Sequence, residues 1–179
     1  MVRRARKFRG CITPIVVILI GITAVAVRYP ATRHPAFLVR LFFSSAPDSL
    51  PQPVEGVRKR QIANSWGAAR SNGRRHQGVD IFAQRGTPVR STSDGIVLRV
   101  GTNTLGGRIV TVMGPGRQVH YYAHLDRYGA FNPGDVIRQG DVLGYVGNTG
   151  NATGTPFHLH YGVYDPVRGA LNPWPLLHD

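Results

Sequence analysis

From about residue 57 onward the chain is a succession of short apolar and β-branched runs broken by glycine turns, and no stretch repeats its apolar residues at helical spacing. The runs fall at 78–83 (GVDIFA), 95–100 (GIVLRV), 108–114 (RIVTVMG), 118–125 (QVHYYAHL), 141–147 (DVLGYVG) and 157–164 (FHLHYGVY). Six or seven short strands at this turn density predict a mainly β domain. Pro88 and Pro133 suit edges or turns, because proline cannot donate to a central ladder. Residues 103–107, 114–116 and 148–154 read as loops. Within 134–144 the run Gly134-Asp135-Val136-Ile137 is nearly repeated by Gly140-Asp141-Val142-Leu143, which predicts two tight turns presenting successive strands. At 179 residues the chain holds one medium domain and not two independent ones.

The formal charge of +13 first points to a nucleic-acid partner. Its distribution excludes that reading: residues 1–75 carry 14 of the 22 Lys and Arg against only Asp48 and Glu55, whereas residues 76–179 carry 8 Arg against 7 Asp. The excess belongs to the N-terminal segment, and no nucleic acid is expected as a partner. Cys11, the single cysteine, excludes an internal disulfide and any multi-cysteine zinc knuckle. The residues before it, Lys7 to Gly10, lack the small-residue and leucine pattern of lipoprotein processing.

Residues 1–10 form a basic flank that stays cytoplasmic by the positive-inside rule. Residues 11–28 follow as a transmembrane anchor or signal segment, close to the lower length limit for a spanning helix. Uncleaved, the chain would be single-pass in the inner membrane with its N-terminus inside; cleavage near Ala26, in a small-residue pattern, would release it to the periplasm. Residues 29–56 are proline-rich and read as a tether, with a short apolar piece at 36–43 expected to pack near the bilayer or against the domain. The domain is expected over 57–170, with a C-terminal tail at 171–179.

Four of the seven histidines lie in three places that combine: His76 with Asp80 in HQGVD, His124 in YYAHL, and His158 with His160 in HLH. On a strand, His158 and His160 share a face. Gly78 lets the chain turn so that His76 and Asp80 converge. Two imidazoles and a carboxylate suit a catalytic Zn2+ site, which keeps one position open for water; the set chosen is His76, Asp80 and His160. Such an ion polarises a carbonyl and acidifies water without a serine or cysteine nucleophile. His124 and His158 are left as general base and oxyanion donor, and spacing does not divide those roles between them. An isolated His-x-His pair is also what two half-buried strand histidines produce. His120 alternates onto the face of Tyr122 and His124 and could border the cleft, without an assignable role.

These five residues, with the wording of HQGVDIFAQRGTPVRSTSDGIV, YYAHL and GNTGNATGTPFHLHYGV around them, resemble the lysostaphin-like (LytM-type) zinc endopeptidases over residues 53–167. The resemblance implies a compact antiparallel β-sheet domain with a cleft formed by loops. It implies zinc on His76, Asp80 and His160, with His124 and His158 catalytic. The implied reaction is hydrolysis of peptidoglycan crosslink or stem peptides, as a D,D-endopeptidase of a Gram-negative envelope. Degenerate members of that family activate cell-wall amidases, so a catalytically silent, metal-retaining wall binder is the alternative, and cell-wall regulatory proteins are expected partners. Asn64, Ser65 and Thr155 border the groove by resemblance. Arg70, Arg74 and Arg75 precede the first ligand and suit substrate carboxylates through their donor forks, although a solvated loop fits them as well.

Overall fold

The computed structural model describes residues 34–178. The basic flank and the apolar segment at 11–28 lie outside the described residues. No helix among the described residues is long and apolar enough to cross a membrane.

A nine-residue helix, α1 (Pro35–Phe43), precedes nine strands: β1 (Val79–Phe82), β2 (Pro88–Arg90), β3 (Gly95–Asn103), β4 (Gly107–Met113), β5 (Val119–Tyr128), β6 (Val136–Ile137), β7 (Val142–Val146), β8 (His158–Asp165) and β9 (Gly169–Leu171). One turn of helix, α2 (Pro173–Leu176), follows. All strand pairings are antiparallel, along the path β1-β8-β5-β4-β3-β6, with β7 on the far half of β5, β2 on β7 and β9 on β8. The mainly β antiparallel expectation holds. Each anticipated run is a strand, and β2, β6 and β9 are additional because two or three residues carry too little alternation to read. The repeat at 134–144 makes the two expected turns. Gly134 and Gly140 take φ of 92° and 93°, and the carboxylates of Asp135 and Asp141 accept from the N–H of Asn132 and Arg138.

Period-two alternation divides β1 and β8 between core and cleft. Val79, Ile81, Leu159, Tyr161 and Val163 are buried in the main hydrophobic cluster, while Asp80, Phe82, His158, His160 and Tyr164 line a cleft on the opposite face. The β1–β8 register sets Asp80 opposite His160 and Phe82 opposite His158.

In β5 the alternation breaks. His124 has φ of 63°, and nearby the ladder to β4 shifts register between Arg108 and Val110. That bulge turns His124 onto the cleft face beside Tyr121 and Ala123. The expectation that His120 borders the cleft is therefore corrected: His120 stays with Tyr122 in the interior, fully buried. There its Nδ1 lies 2.7 Å from Tyr161 Oη and 3.1 Å from Thr92 Oγ1.

The core extends beyond the strands. Leu50, Val54, Ile62 and Leu177 belong to the main cluster. Leu50 N–H donates to Leu176 O at 2.6 Å, and Trp174 Nε1 donates to Ile62 O at 3.0 Å. The described part of the proline-rich segment is thus packed on the sheet. Helix α1 docks through Leu41, Phe37 and Leu38 onto Ile96, Met113 and Val136.

Candidate functional site

Three elements deliver the polar atoms of the cleft. His76 ends the loop before β1, where its N–H donates to Ala68 O at 2.9 Å and its carbonyl accepts from Gly67 N–H. Asp80 comes from β1 and His160 from β8, brought level by the ladder. His76 Nε2 lies 2.8 Å from His160 Nδ1, and Asp80 Oδ1 is 3.1 Å from each. These three groups could hold a metal ion. A tetrahedral zinc with bonds of about 2.0–2.1 Å sets its ligand atoms about 3.3 Å apart. The observed triangle is close to that size, and two nitrogens with one carboxylate oxygen suit the ion.

The surroundings fix which ring nitrogens are free. His76 Nδ1 lies 2.8 Å from Ser65 O, His124 Nδ1 2.8 Å from Thr149 O, and His158 Nδ1 2.8 Å from Pro156 O. A carbonyl only accepts, so each Nδ1 carries the proton and each neutral ring presents an Nε2 lone pair. For His76 that lone pair points into the triangle. His158 Nε2 stands 4.0 Å from Asp80 Oδ1, outside the triangle. The ring of His124 is centred 5.0 Å from that of His158 and 5.9 Å from that of His160. The five residues therefore form a group of three with two flanking rings.

Electrostatics favour the unprotonated forms of Asp80, His124 and His160. Burial alone would raise the Asp80 carboxyl, but hydrogen bonds with His160 and His76 and their nearby charge hold it far below the usual carboxylate range. Burial lowers His124 to about 4 against the opposing Thr149 bond, and burial also lowers His160 against the pull of Asp80. The outer oxygen of Asp80 is held by Arg70, leaving Oδ1 toward the imidazoles.

The cleft has a volume of about 740 Å³, and its lining includes Arg70, Arg74 and Arg75 from the loop before β1 and Asn151, Ala152, Thr155 and Pro156 from the loop before β8. Phe82, Leu105, Tyr121 and Tyr164 add apolar surface. Arg74 donates to Ser71 Oγ and Arg75 to Gly67 O; among the described residues neither meets a carboxylate. Thr155 lines the cleft with its hydroxyl donating to Ala152 O. Asn64 is absent from the lining because its Oδ1 turns back to accept from Trp66 N–H. Its neighbour Ser65 supports the site instead: the carbonyl holds His76 and Oγ accepts from Asp80 N–H at 3.2 Å. Gly78 does not use the left-handed region. A Cβ there would sit 2.5 Å from Tyr161 O and 2.7 Å from His160 Cε1, so its role is to leave room for the His160 ring.

The sequence profile described as Peptidase family M23 matches residues 74–173. The L-Ala--D-Glu endopeptidase of Bacillus subtilis is 38% identical over 125 residues, covering 64% of this chain and 38% of that protein. The DD-carboxypeptidase/endopeptidase Mpg of Neisseria meningitidis is 36% identical over 129 residues, 68% of this chain and 27% of that protein. The chain thus spans well under half the length of these relatives. Among solved structures, the catalytic domain of lysostaphin from Staphylococcus simulans superposes with a TM-score of 0.60 at 29% identity, covering 66% of this chain and 92% of that one. With a profile that takes in more than half of the chain, from just before His76 to just beyond the last strand, the chain belongs to peptidase family M23.

Proposed function

We propose that the chain is a zinc-dependent endopeptidase that hydrolyses peptide bonds in peptidoglycan crosslinks or stem peptides, acting as a D,D-endopeptidase. The observation that carries this reading is the convergence of His76 Nε2, Asp80 Oδ1 and His160 Nδ1 beside two further imidazoles, each held through Nδ1 on a backbone carbonyl. Endopeptidase names among its relatives support it. A zinc ion held by His76, Asp80 and His160 would supply Lewis acidity toward a carbonyl oxygen and a water.

The remaining chemistry belongs to the side chains. With Nδ1–H fixed on a carbonyl, His124 and His158 each offer Nε2 as a proton acceptor, and only after accepting can that atom donate. One imidazole therefore takes the proton from water first. Once charged, it donates to the developing oxyanion or to the leaving amine, so base and donor are successive states of these rings. Arg74 and Arg75 hold peptide carboxylates by their donor forks. Thr155 borders the bound peptide. The domain works in the periplasm, held at the inner membrane by residues 11–28 or released by cleavage near Ala26.

The test is digestion of purified murein by the detergent-solubilised full chain, products read by mass spectrometry, beside a His160→Ala control and a zinc assay. Loss of crosslinked species with the wild type alone is the expected result. Intact crosslinks with zinc bound would leave a silent wall-binding activator as the function.

A further inference from the structure

Helix α1 is apolar on both sides, and the domain covers one of them. Phe37, Leu38 and Leu41 face the sheet. Outward, Val39 is 59% exposed, Phe42 51% and Phe43 80%, and the helical period sets Ala36, Val39 and Phe43 in one stripe with Arg40. An outward stripe of apolar residues around a single arginine is more apolar than the polar face of a solvated surface helix. The guanidinium of Arg117 lies over the Phe42 ring at 5.2 Å and that of Arg138 over Phe37 at 5.1 Å. Arg40 and Arg138 share Asp94, at 3.6 and 3.1 Å, whereas Arg117 meets no carboxylate among the described residues. Aromatic side chains interleaved with arginine suit the headgroup region of an anionic bilayer, where the rings enter the acyl boundary and the cations meet phosphate.

Chain length keeps the same occupant within reach. From residue 28, the end of the apolar segment, to Pro35 are 7 residues, which extend at most about 25 Å. We propose that the outward face of α1 seats on the surface of an anionic phospholipid bilayer, making a second membrane contact that orients the domain. The inference rests on bilayer insertion of residues 11–28 and does not depend on the hydrolase reading. Its consequence is directional. Helix α1 packs at the β3–β6 end of the sheet, while β8 with its histidines lies three strand spacings from β3, about 14 Å. Seating α1 on lipid therefore puts the membrane contact at the β3–β6 end of the sheet, three strands along from the histidines of β8.

The experiment uses the full chain with Cys11→Ser, carrying a nitroxide on Phe43→Cys or, as a water-facing reference, on Val167→Cys, a position 86% exposed. Both are mixed with phosphatidylcholine vesicles, with or without a one-quarter fraction of phosphatidylglycerol, floated, and read by power saturation with oxygen and with an aqueous nickel chelate. Position 43 should collide with nickel about tenfold less than position 167, gain access to oxygen, and show the contrast most strongly with phosphatidylglycerol. A chain that fails to float overturns both the inserted segment and the docking. Flotation with position 43 as open to nickel as position 167 overturns the docking alone. Loss of access to both reagents would assign the face to a second copy of the chain and overturn the lipid proposal.

Discussion

Gly78 carries no side chain because the His160 ring occupies the space where one would stand. The alanine Cβ at this position meets the Tyr161 carbonyl at 2.5 Å, and that carbonyl belongs to β8 and cannot swing aside. Gly78→Ala should therefore displace His160 and weaken zinc retention by about ten- to a hundredfold, checked by competition with a chromophoric chelator. The five polar residues separate by the same assay. His160→Ala should abolish zinc binding, whereas His158→Ala, which removes a ring outside the triangle, should keep about one zinc per chain and lose about 10²–10⁴ in turnover. Equal metal loss in both variants would place His158 among the ligands. At this scale much was legible in the wording of HQGVD and HLH, since two-residue spacing on a strand dictates a common face. Asn64 was not: whether Asn64 or Ser65 serves the cleft depends on the course of a loop that no periodicity encodes.

Strand β8 works on both faces at once. Its histidines point to the cleft while Leu159, Tyr161 and Val163 fill the core, all fully buried. Leu159→Ala should lower the unfolding free energy by about 2–5 kcal/mol in a urea titration, through lost burial and the cavity left behind. The cleft face is untouched by that change, so zinc stoichiometry should persist under native conditions. Strand β5 follows a different logic. Its left-handed residue at His124 lets the first half pair with β4 and β8 and the second half with β7. Non-glycine residues adopt this conformation rarely, and where they do the surrounding structure imposes it. Here His124 N–H donates to Gly106 O at 2.7 Å, locking the bulge that aims the ring.

Acid stability of the whole molecule should depend on His120. Burial lowers it to about 4 from an ordinary value of 6.5, and the neutral ring is bonded to Tyr161 and Thr92. Between those two values the unfolded chain holds a proton that the folded chain does not, so stability rises with pH across the window and falls on acidification. The loss reaches about 3 kcal/mol by pH 4. Urea titrations of zinc-free protein at pH 7 and pH 4.5 should show a larger decrease for wild type than for His120→Gln; equal decreases would acquit this residue. The distribution of charge also acts at this scale. The positive excess lies before residue 76, so residues 76–179 are nearly neutral, while Arg70, Arg74 and Arg75 add local positive charge to the cleft lining.

The sequence by itself determined the β class, the turns built on Asp135 and Asp141, and the residues that face together along β1 and β8, because each follows from local spacing and turn chemistry. Only the tertiary structure decided the rest. It separated His120 from His124 by a bulge, drew residues 50–62 and 171–177 into one core with the strands, and laid α1 along the sheet with its second face outward. Those outcomes depend on contacts between residues far apart in the chain, which neither propensity nor period-two alternation contains.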